Sequence, residues 1–119
     1  MKEISAETIS KEVARLCQEA NFDLGKDVLS AFESFKAKEA SPTGKEVLDM
    51  LVDNAKLAAR DRVPICQDTG LAVFFVEMGQ DVHISGNCLS EAINEGVRQG
   101  YIDGYLRKSC VFDPLDRKS

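Results

Sequence analysis

Residues 89–108 read LSEAINEGVRQGYIDGYLRK, and this stretch decides much of the fold. Its apolar side chains recur at helical spacing, which predicts a long helix, through Leu89, Ile93, Val97, Tyr101 and Tyr105. Glycines recur on one stripe of that helix, at Gly96, Gly100 and Gly104. Each glycine lowers the stability of a helix by roughly 1 kcal/mol relative to alanine when it lies in the helix interior. The three together predict another backbone packed very close along the stripe.

Three further helices are predicted ahead of this one, over residues 5–21, 26–39 and 43–60. Ser5 has the side chain of a good N-cap for the first of them. Thr43 and Glu46 have capping-box spacing at the start of the third. Pro64 disfavours helical geometry at the residue before it and so limits the third helix.

Two strands are predicted between the third and fourth helices. Residues 71–78 are β-branched and aromatic in character, and residues 82–84 alternate as a short second strand. Gly79-Gln80-Asp81 supplies a turn between them, so the pair is expected to be antiparallel. The predicted class is α+β: N-terminal helices, short antiparallel strands and a long C-terminal helix, forming a truncated part of a larger domain. Further strands, from Val111 onward or from a second copy, are expected to complete the sheet.

Composition excludes several classes of protein. The chain has 119 residues, 44% hydrophobic and 29% charged, with a net charge of −5. An acidic chain of this kind does not predict a nucleic-acid or membrane-surface partner. The longest apolar run, residues 71–76, is far shorter than the roughly 20 residues that span a bilayer. The N-terminus does not read as a signal peptide, and a cytoplasmic location is expected.

The densest group of reactive side chains is the segment Pro64-Ile65-Cys66-Gln67-Asp68-Thr69-Gly70. It places a thiol, an amide, a carboxylate and a hydroxyl in a row between a helix and an apolar stretch. Loops held at both ends by rigid elements often carry functional side chains. Asp-Thr-Gly also suits an ordinary turn. A thiolate at Cys66 could ligate iron or zinc, and the residues alone leave these interpretations open.

At this segment the sequence resembles the iron–sulfur-dependent hydro-lyases, namely class I fumarate hydratases and L-tartrate dehydratase alpha subunits. The resemblance covers most of the chain and is specific over residues 63–109. It is carried by residues 64–70, Val73–Val76, the turn at 79–81, Glu91–Arg98 and Tyr105–Ser109. It implies that residues 1–119 are an N-terminal portion of the alpha-type catalytic domain, and that the fragment alone is inactive.

The resemblance also implies roles for individual residues. Cys66 would be one of three cysteine ligands of a [4Fe–4S] cluster, with the other two outside this chain. Gln67 and Asp68 match substrate-contacting positions, Asp68 being the catalytic candidate. Arg107 matches an arginine that pairs with a substrate carboxylate, a role that suits its planar fork of donors. The expected partners are a small dicarboxylate, a beta subunit or C-terminal domain, and further copies of the chain.

The expected parent reaction is reversible hydration of fumarate to (S)-malate, with L-tartrate dehydration as the runner-up. A non-catalytic subunit-interaction domain, using the glycine stripe and the apolar strand, is a second hypothesis. A thiol or metal module based on Cys66 alone is a third.

The remaining candidate side chains are expected to be structural. The other cysteines have no matching positions in the family and are predicted to be buried apolar thiols, at Cys17, Cys88 and Cys110. His83 is expected to be structural, and Tyr101 and Tyr105 to face the core.

Overall fold

The computed structural model of the chain describes residues 1–117. They form two compact units. The first unit combines residues 1–19 with the chain from Gln67 onward, and the second unit runs from Ala20 to Cys66. The proposed loop of residues 64–70 thus begins in the second unit and ends in the first.

The described residues form two short strands and four helices. In chain order these are β1 (Lys2–Ser5), α1 (Ala6–Phe22), α2 (Lys26–Lys38), α3 (Pro42–Asp61), β2 (Val82–Ser85) and α4 (Leu89–Asp103). The α+β class is confirmed, and the first three helices lie close to their predicted bounds. The fourth ends at Asp103 rather than at Lys108.

The predicted antiparallel strand pair is wrong. β2 pairs with β1 in parallel, with Lys2 opposite Val82 and Ser5 opposite Ser85. The turn before β2 does form, since the Val82 amide donates to the Gly79 carbonyl at 3.2 Å. Residues 71–78 nevertheless take no strand conformation. β1 runs directly into α1, and β2 is joined to α4 by three residues. α1 and α4 run in the same direction, since Ser10 bonds to Ala92 and Gln18 to Gly100, so the strands that precede them point the same way.

The glycine stripe of α4 lies against the backbone of α1. A Cβ built on Gly96 would lie 2.6 Å from the Ser10 carbonyl oxygen, and one on Gly100 would lie 2.7 Å from that of Ala14. Side chains at those two positions would hold the helices apart. The predicted close backbone contact is therefore confirmed. We call this contact the glycine seam.

Two hydrogen bonds set the register of the glycine seam. The Ser10 hydroxyl donates to the Ala92 carbonyl at 2.7 Å and is buried. Further along, the Gln18 side-chain amide donates to the Gly100 carbonyl at 3.3 Å. Because the bonds lie at different points along α1, they oppose sliding of one helix past the other.

The second unit is held together chiefly by α3. Ala55 and Ala58 are buried, whereas no residue of α2 is. An ion pair between Lys36 and Asp49 links α2 to α3. Phe22, at the end of α1, is also buried in this unit.

The start of α3 corrects one prediction. The cap is Ser41, whose hydroxyl accepts from the Gly44 amide at 3.3 Å, and Pro42 takes the first helical position. Thr43 and Glu46 therefore do not form the expected capping box. Proline suits the first turn of a helix because its missing N–H would have no helical partner there. The other capping prediction is confirmed, since the Ser5 hydroxyl accepts from the Thr8 amide at 3.1 Å.

The end of α4 is a Schellman motif with tyrosine where glycine is usual. The Leu106 amide donates to the Tyr101 carbonyl at 2.9 Å and the Tyr105 amide to the Ile102 carbonyl at 3.3 Å. Tyr105 has φ 53°, in the left-handed region that disfavours residues with a Cβ. Tyr105 is 90% exposed, so its predicted place in the core is wrong, whereas Tyr101 is buried as predicted.

The cysteines divide in a way that the sequence did not predict. Cys17 is buried, and burial raises the pKa of its thiol. Cys88 and Cys110 are exposed, which corrects the expectation that all three are buried. Cys88 is the N-cap of α4 and Cys110 follows its end, and both places lie at the surface.

Among residues 1–117, no helix is long and apolar enough to cross a membrane.

The glycine seam predicts the effect of Gly100→Ala. The new methyl group would lie 2.7 Å and 2.9 Å from the Ala14 carbonyl oxygen and Cα, which are backbone atoms. Such overpacking costs roughly 1–3 kcal/mol, more than the roughly 1 kcal/mol that alanine gains in helix propensity. We expect a lower free energy of unfolding, measured by urea denaturation of the chain with circular dichroism.

Gly44→Ala is the matched control, because its added Cβ would meet only the side chain of Glu39. We expect its free energy of unfolding to stay the same or to rise by up to about 1 kcal/mol, because alanine has the higher helix propensity. If Gly100→Ala were as stable as the wild type, the close contact would not exist in solution.

The tyrosine at the end of α4 gives a second prediction. Tyr105→Gly should raise the free energy of unfolding by about 1 kcal/mol, because glycine takes a positive φ without strain. Thermal and urea denaturation both measure it. Tyr105→Ala keeps a Cβ and should gain nothing, so an equal gain from alanine would refute strain as the cause.

Candidate functional site

The loop of residues 64–70 begins three residues after α3, which ends at Asp61. Its residue Ile65 is bonded on both sides within the second unit. The Ile65 amide donates to the Asn21 carbonyl at 2.9 Å, and its carbonyl accepts from the Asn54 side-chain amide at 2.8 Å. These bonds fix the backbone immediately before Cys66.

Cys66 is the last residue of the second unit and is exposed. It forms no disulfide. An exposed thiol on a fixed backbone is accessible to a metal or a reagent. Across residues 1–117, however, no group of three His, Cys, Asp or Glu side chains is placed to hold a metal ion. The described part of the chain therefore supplies a candidate ligand but no assembled metal centre.

Within the first unit, the rest of the loop is bonded to the segment after α4. The Thr69 hydroxyl donates to the Arg107 carbonyl at 2.7 Å. The Tyr101 hydroxyl donates to the Thr69 carbonyl at 3.4 Å and is buried. Thr69 itself is only 9% exposed. Two segments far apart in sequence are thus joined at one buried threonine.

Asp68 lies at the surface of this junction, and its carboxylate is stabilised from several sides. The nearby Ser109 hydroxyl is the largest cause of a lowered pKa for Asp68. The second cause is the Gly70 amide, which donates to Asp68 Oδ1 at 3.0 Å. The charge of Arg107 adds a smaller lowering, and burial opposes all three. Asp68 is therefore ionised at neutral pH.

Gly70 allows the turn that brings its amide to Asp68. Its φ is 63°, in the left-handed region where glycine is favoured. A side chain there would meet no atom within 4 Å, so backbone conformation rather than space calls for glycine.

The structure brings together some of the predicted site residues. Asp68 and Arg107 belong to the same junction in the first unit, and both side chains are exposed. Gln67 is exposed next to Asp68 in the chain. Cys66 belongs to the second unit. An arginine on this surface can bind a carboxylate, and an ionised aspartate can accept a proton or a hydrogen bond.

A shallow pocket of about 320 Å³ borders the junction. Gly70, Lys108 and Ser109 contribute to its wall, together with Tyr101 and Arg98 of α4. Gln67, Asp68 and Arg107 do not line it. The predicted site residues therefore form an open surface rather than an enclosed cavity.

Sequence reasoning missed the residues that hold this surface together. The sequence indicates Thr69 only as a hydroxyl in the loop, Tyr101 only as a core residue, and Ser109 only as part of the matching stretch. Their roles depend on contacts between positions more than 30 apart, as for Thr69 and Arg107, which differ by 38. The one available signal was the unusual density of polar groups at 66–69. His83 lies exposed in β2, opposite Glu3.

A comparison with protein families identifies the chain. The family model described as fumarate hydratase (Fumerase) matches residues 10–119. A Methanocaldococcus jannaschii protein provisionally named L(+)-tartrate dehydratase subunit alpha is 36% identical over 112 residues, covering 93% of this chain and 39% of the relative.

Two bacterial relatives agree with that match. A Geobacillus stearothermophilus protein provisionally named fumarate hydratase class I is 32% identical over 88% of this chain and 20% of its own length. The L(+)-tartrate dehydratase subunit alpha of Escherichia coli O157:H7 is 32% identical over 76% of this chain and 30% of its own length. The chain therefore spans well under half the length of these relatives. It belongs to the fumarate hydratase (Fumerase) family.

Proposed function

We propose that this chain is part of a hydro-lyase that reversibly hydrates fumarate to (S)-malate. One observation carries the proposal: the bond from Thr69 to the Arg107 carbonyl joins a loop bearing Asp68 to a segment bearing Arg107. A cation and an ionised carboxylate on one surface are what a small hydroxy-dicarboxylate needs. Family membership over residues 10–119 supports the same reaction class.

The proposed roles follow from the chemistry of each side chain. Arg107 binds one substrate carboxylate, since its guanidinium can donate two parallel hydrogen bonds. It also offsets the repulsion expected between a dianionic substrate and a chain of net charge −5. Gln67 can donate to a second substrate oxygen through its side-chain amide.

Asp68 is proposed as the catalytic group of this chain. Hydration breaks an O–H bond of water and the C=C π bond and forms one C–O and one C–H bond, so the reaction needs proton transfer but no oxidant or reductant. A carboxylate that accepts hydrogen bonds can orient the hydroxyl or take its proton. The bond from the Gly70 amide holds one oxygen of that carboxylate in place.

An iron–sulfur cluster remains a proposal for the complete enzyme. The described residues alone do not fit a cluster site, because no three suitable ligands lie together among them. We propose that Cys66 supplies one thiolate and that two further cysteines come from outside this chain. When bound, such a cluster supplies an open, Lewis-acidic iron for a substrate oxygen. Its thiolates are expected to work in the reducing cytoplasm.

A partner is proposed to complete the site. Arg107, Asp68 and Gln67 are exposed, and so are apolar side chains of the adjoining segment, including Leu71 and Phe75. Covering that segment would also exclude water from the open surface beside it. We propose a beta subunit or C-terminal domain in this role, with further copies of the chain in the assembly.

L-tartrate dehydration is the second candidate. It is favoured by relatives named as L(+)-tartrate dehydratase alpha subunits. The reaction removes water from a dicarboxylate that carries two hydroxyl groups, so it calls on the same carboxylate and hydroxyl contacts. Comparing kcat/KM for the two substrates in the complete enzyme decides between them.

A purely non-catalytic interaction domain receives less support. That hypothesis used the glycine stripe as an interface to a partner, and α1 of this chain already occupies it. The exposed apolar segment of residues 71–78 could still bind a partner, but it does not explain why the segments that carry Asp68 and Arg107 are joined.

The first test of the proposal is Cys66→Ala in the complete enzyme. After anaerobic reconstitution with iron and sulfide, we expect the variant to lose the visible absorbance of the cluster and the hydration of fumarate. Cys88→Ala is the matched control, because Cys88 is also exposed and its side chain makes no capping bond. Equal behaviour of the two variants would refute the ligand role of Cys66. Stoichiometric zinc or iron binding by the isolated chain, without a cluster, would favour the thiol module.

A second test concerns Arg107. Arg107→Gln removes the charged donor pair. Loss of even one such hydrogen bond costs about 1.5–3 kcal/mol, so KM for fumarate should rise by at least roughly tenfold. Arg107→Lys keeps the charge but loses the planar fork of donors, so its KM should lie between those of the wild type and Arg107→Gln. Steady-state kinetics measure both.

Arg60→Gln is the control for Arg107→Gln. Arg60 is exposed in α3 and pairs with the neighbouring Asp61. Arg60→Gln changes the net charge by the same amount as Arg107→Gln, but in the second unit. A similar rise in KM from both arginine variants would indicate a general charge effect and contradict the proposed contact.

A further inference from the structure

The segment that carries Arg107 has little regular structure of its own. Helix α4 ends at Asp103, Tyr105 turns the chain, and residues 106–110 form neither helix nor strand. Leu106 is an anchor, since its side chain is 5% exposed and its amide bonds to Tyr101. Immediately after it, the Arg107 side chain is exposed.

Thr69 supplies the next anchor. Its hydroxyl donates to the Arg107 carbonyl at 2.7 Å, and Thr69 is one of two buried polar residues among those described. The Thr69 backbone is held in turn by the Tyr101 hydroxyl, which comes from the last turns of α4. The three residues thus connect helix, loop and exit segment through buried polar contacts.

We propose that Thr69 is a positioning residue that sets the distance between Arg107 and the Gln67–Asp68 pair. This inference rests on the proposed function, because it gives the arrangement a substrate to bind. Thr69 touches neither substrate nor reacting atoms. It acts by fixing the backbone of the residue that does, and Tyr101 supports it from α4.

The side chain of Thr69 suits a selective test. Thr69→Val keeps the shape but removes the hydroxyl, and leaves the Arg107 carbonyl without that donor. Thr69→Ser keeps the hydroxyl and loses only a methyl group. Loss of a neutral buried hydrogen bond corresponds to roughly a five- to tenfold change in an equilibrium constant.

The kinetic arm uses the complete enzyme with fumarate. We expect Thr69→Val to raise KM roughly five- to tenfold while kcat changes less, because a displaced Arg107 weakens carboxylate binding in the ground and transition states alike. Thr69→Ser should return KM close to the wild-type value. Thr43→Val is the matched control, an exposed threonine in the first turn of α3, and should leave both constants unchanged.

A second arm needs no activity. Trypsin cleaves after arginine and lysine, so cutting between Arg107 and Lys108 reports how firmly that backbone is held. Limited proteolysis of the same enzyme, followed by mass spectrometry, should show faster cleavage there in Thr69→Val. The rates in Thr69→Ser and Thr43→Val should match the wild type.

The kinetic and proteolysis experiments together distinguish failure of the proposed function from failure of the positioning role of Thr69. If the enzyme hydrates no dicarboxylate, the proposed function fails, while the cleavage rates still test the anchor. Unchanged KM and unchanged cleavage in Thr69→Val would overturn the positioning role. Equal losses in Thr69→Val and Thr69→Ser would also overturn it, because packing rather than the hydroxyl would be responsible. Should Thr69→Val fail to fold, Tyr101→Phe removes the other bond and must show the same changes more weakly.

Discussion

The close contact between α1 and α4 is the constraint on which the rest of the first unit depends. At the glycine seam, backbone meets backbone, so neither helix can rotate or slide without a clash or the loss of the bonds from Ser10 and Gln18. Fixing α4 in this way fixes where its C-terminal end lies. Tyr101, near that end, then presents its hydroxyl to the Thr69 carbonyl. The proposed site is thus built on a helix position that distant glycines determine.

The seam also shows what a sequence can and cannot predict about a fold. Three glycines in a helix carry an energetic cost, and that cost predicted close packing without revealing the partner. The strand that pairs with β2 was not predictable from the sequence either. Residues 2–5 form a short and mostly polar segment, which does not have the pattern of a strand. This segment, β1, pairs with residues 82–85, far along the chain. Residues 71–78 have strong strand character, but β propensity reflects packing against neighbours, and no strand of the described chain pairs with them.

For the site, local chemistry identified the loop, and resemblance identified Arg107. Neither could identify the hydrogen bond from Thr69 to the Arg107 carbonyl, because Asp-Thr-Gly is also the composition of an ordinary turn. The exposed Cys88 and Cys110 illustrate the same difficulty. Burial is common for free cysteine as a residue type, yet Cys88 lies at the N-cap of α4 and Cys110 in the segment beyond its end, and both positions are exposed. The average burial preference of cysteine therefore gave a wrong prediction for Cys88 and Cys110, because the position of each in the fold determines its exposure.

The strain at Tyr105 completes the account of how Arg107 is presented. A left-handed tyrosine with its ring exposed gains no packing from its own side chain. The turn is instead maintained by its two backbone bonds and by the burial of Leu106 directly after it. Leu106 faces inward, Arg107 faces outward, and Thr69 holds the carbonyl between Arg107 and Lys108. The direction of the exposed guanidinium therefore follows from a strained turn and a buried neighbour, both of which act on the backbone rather than on the arginine itself.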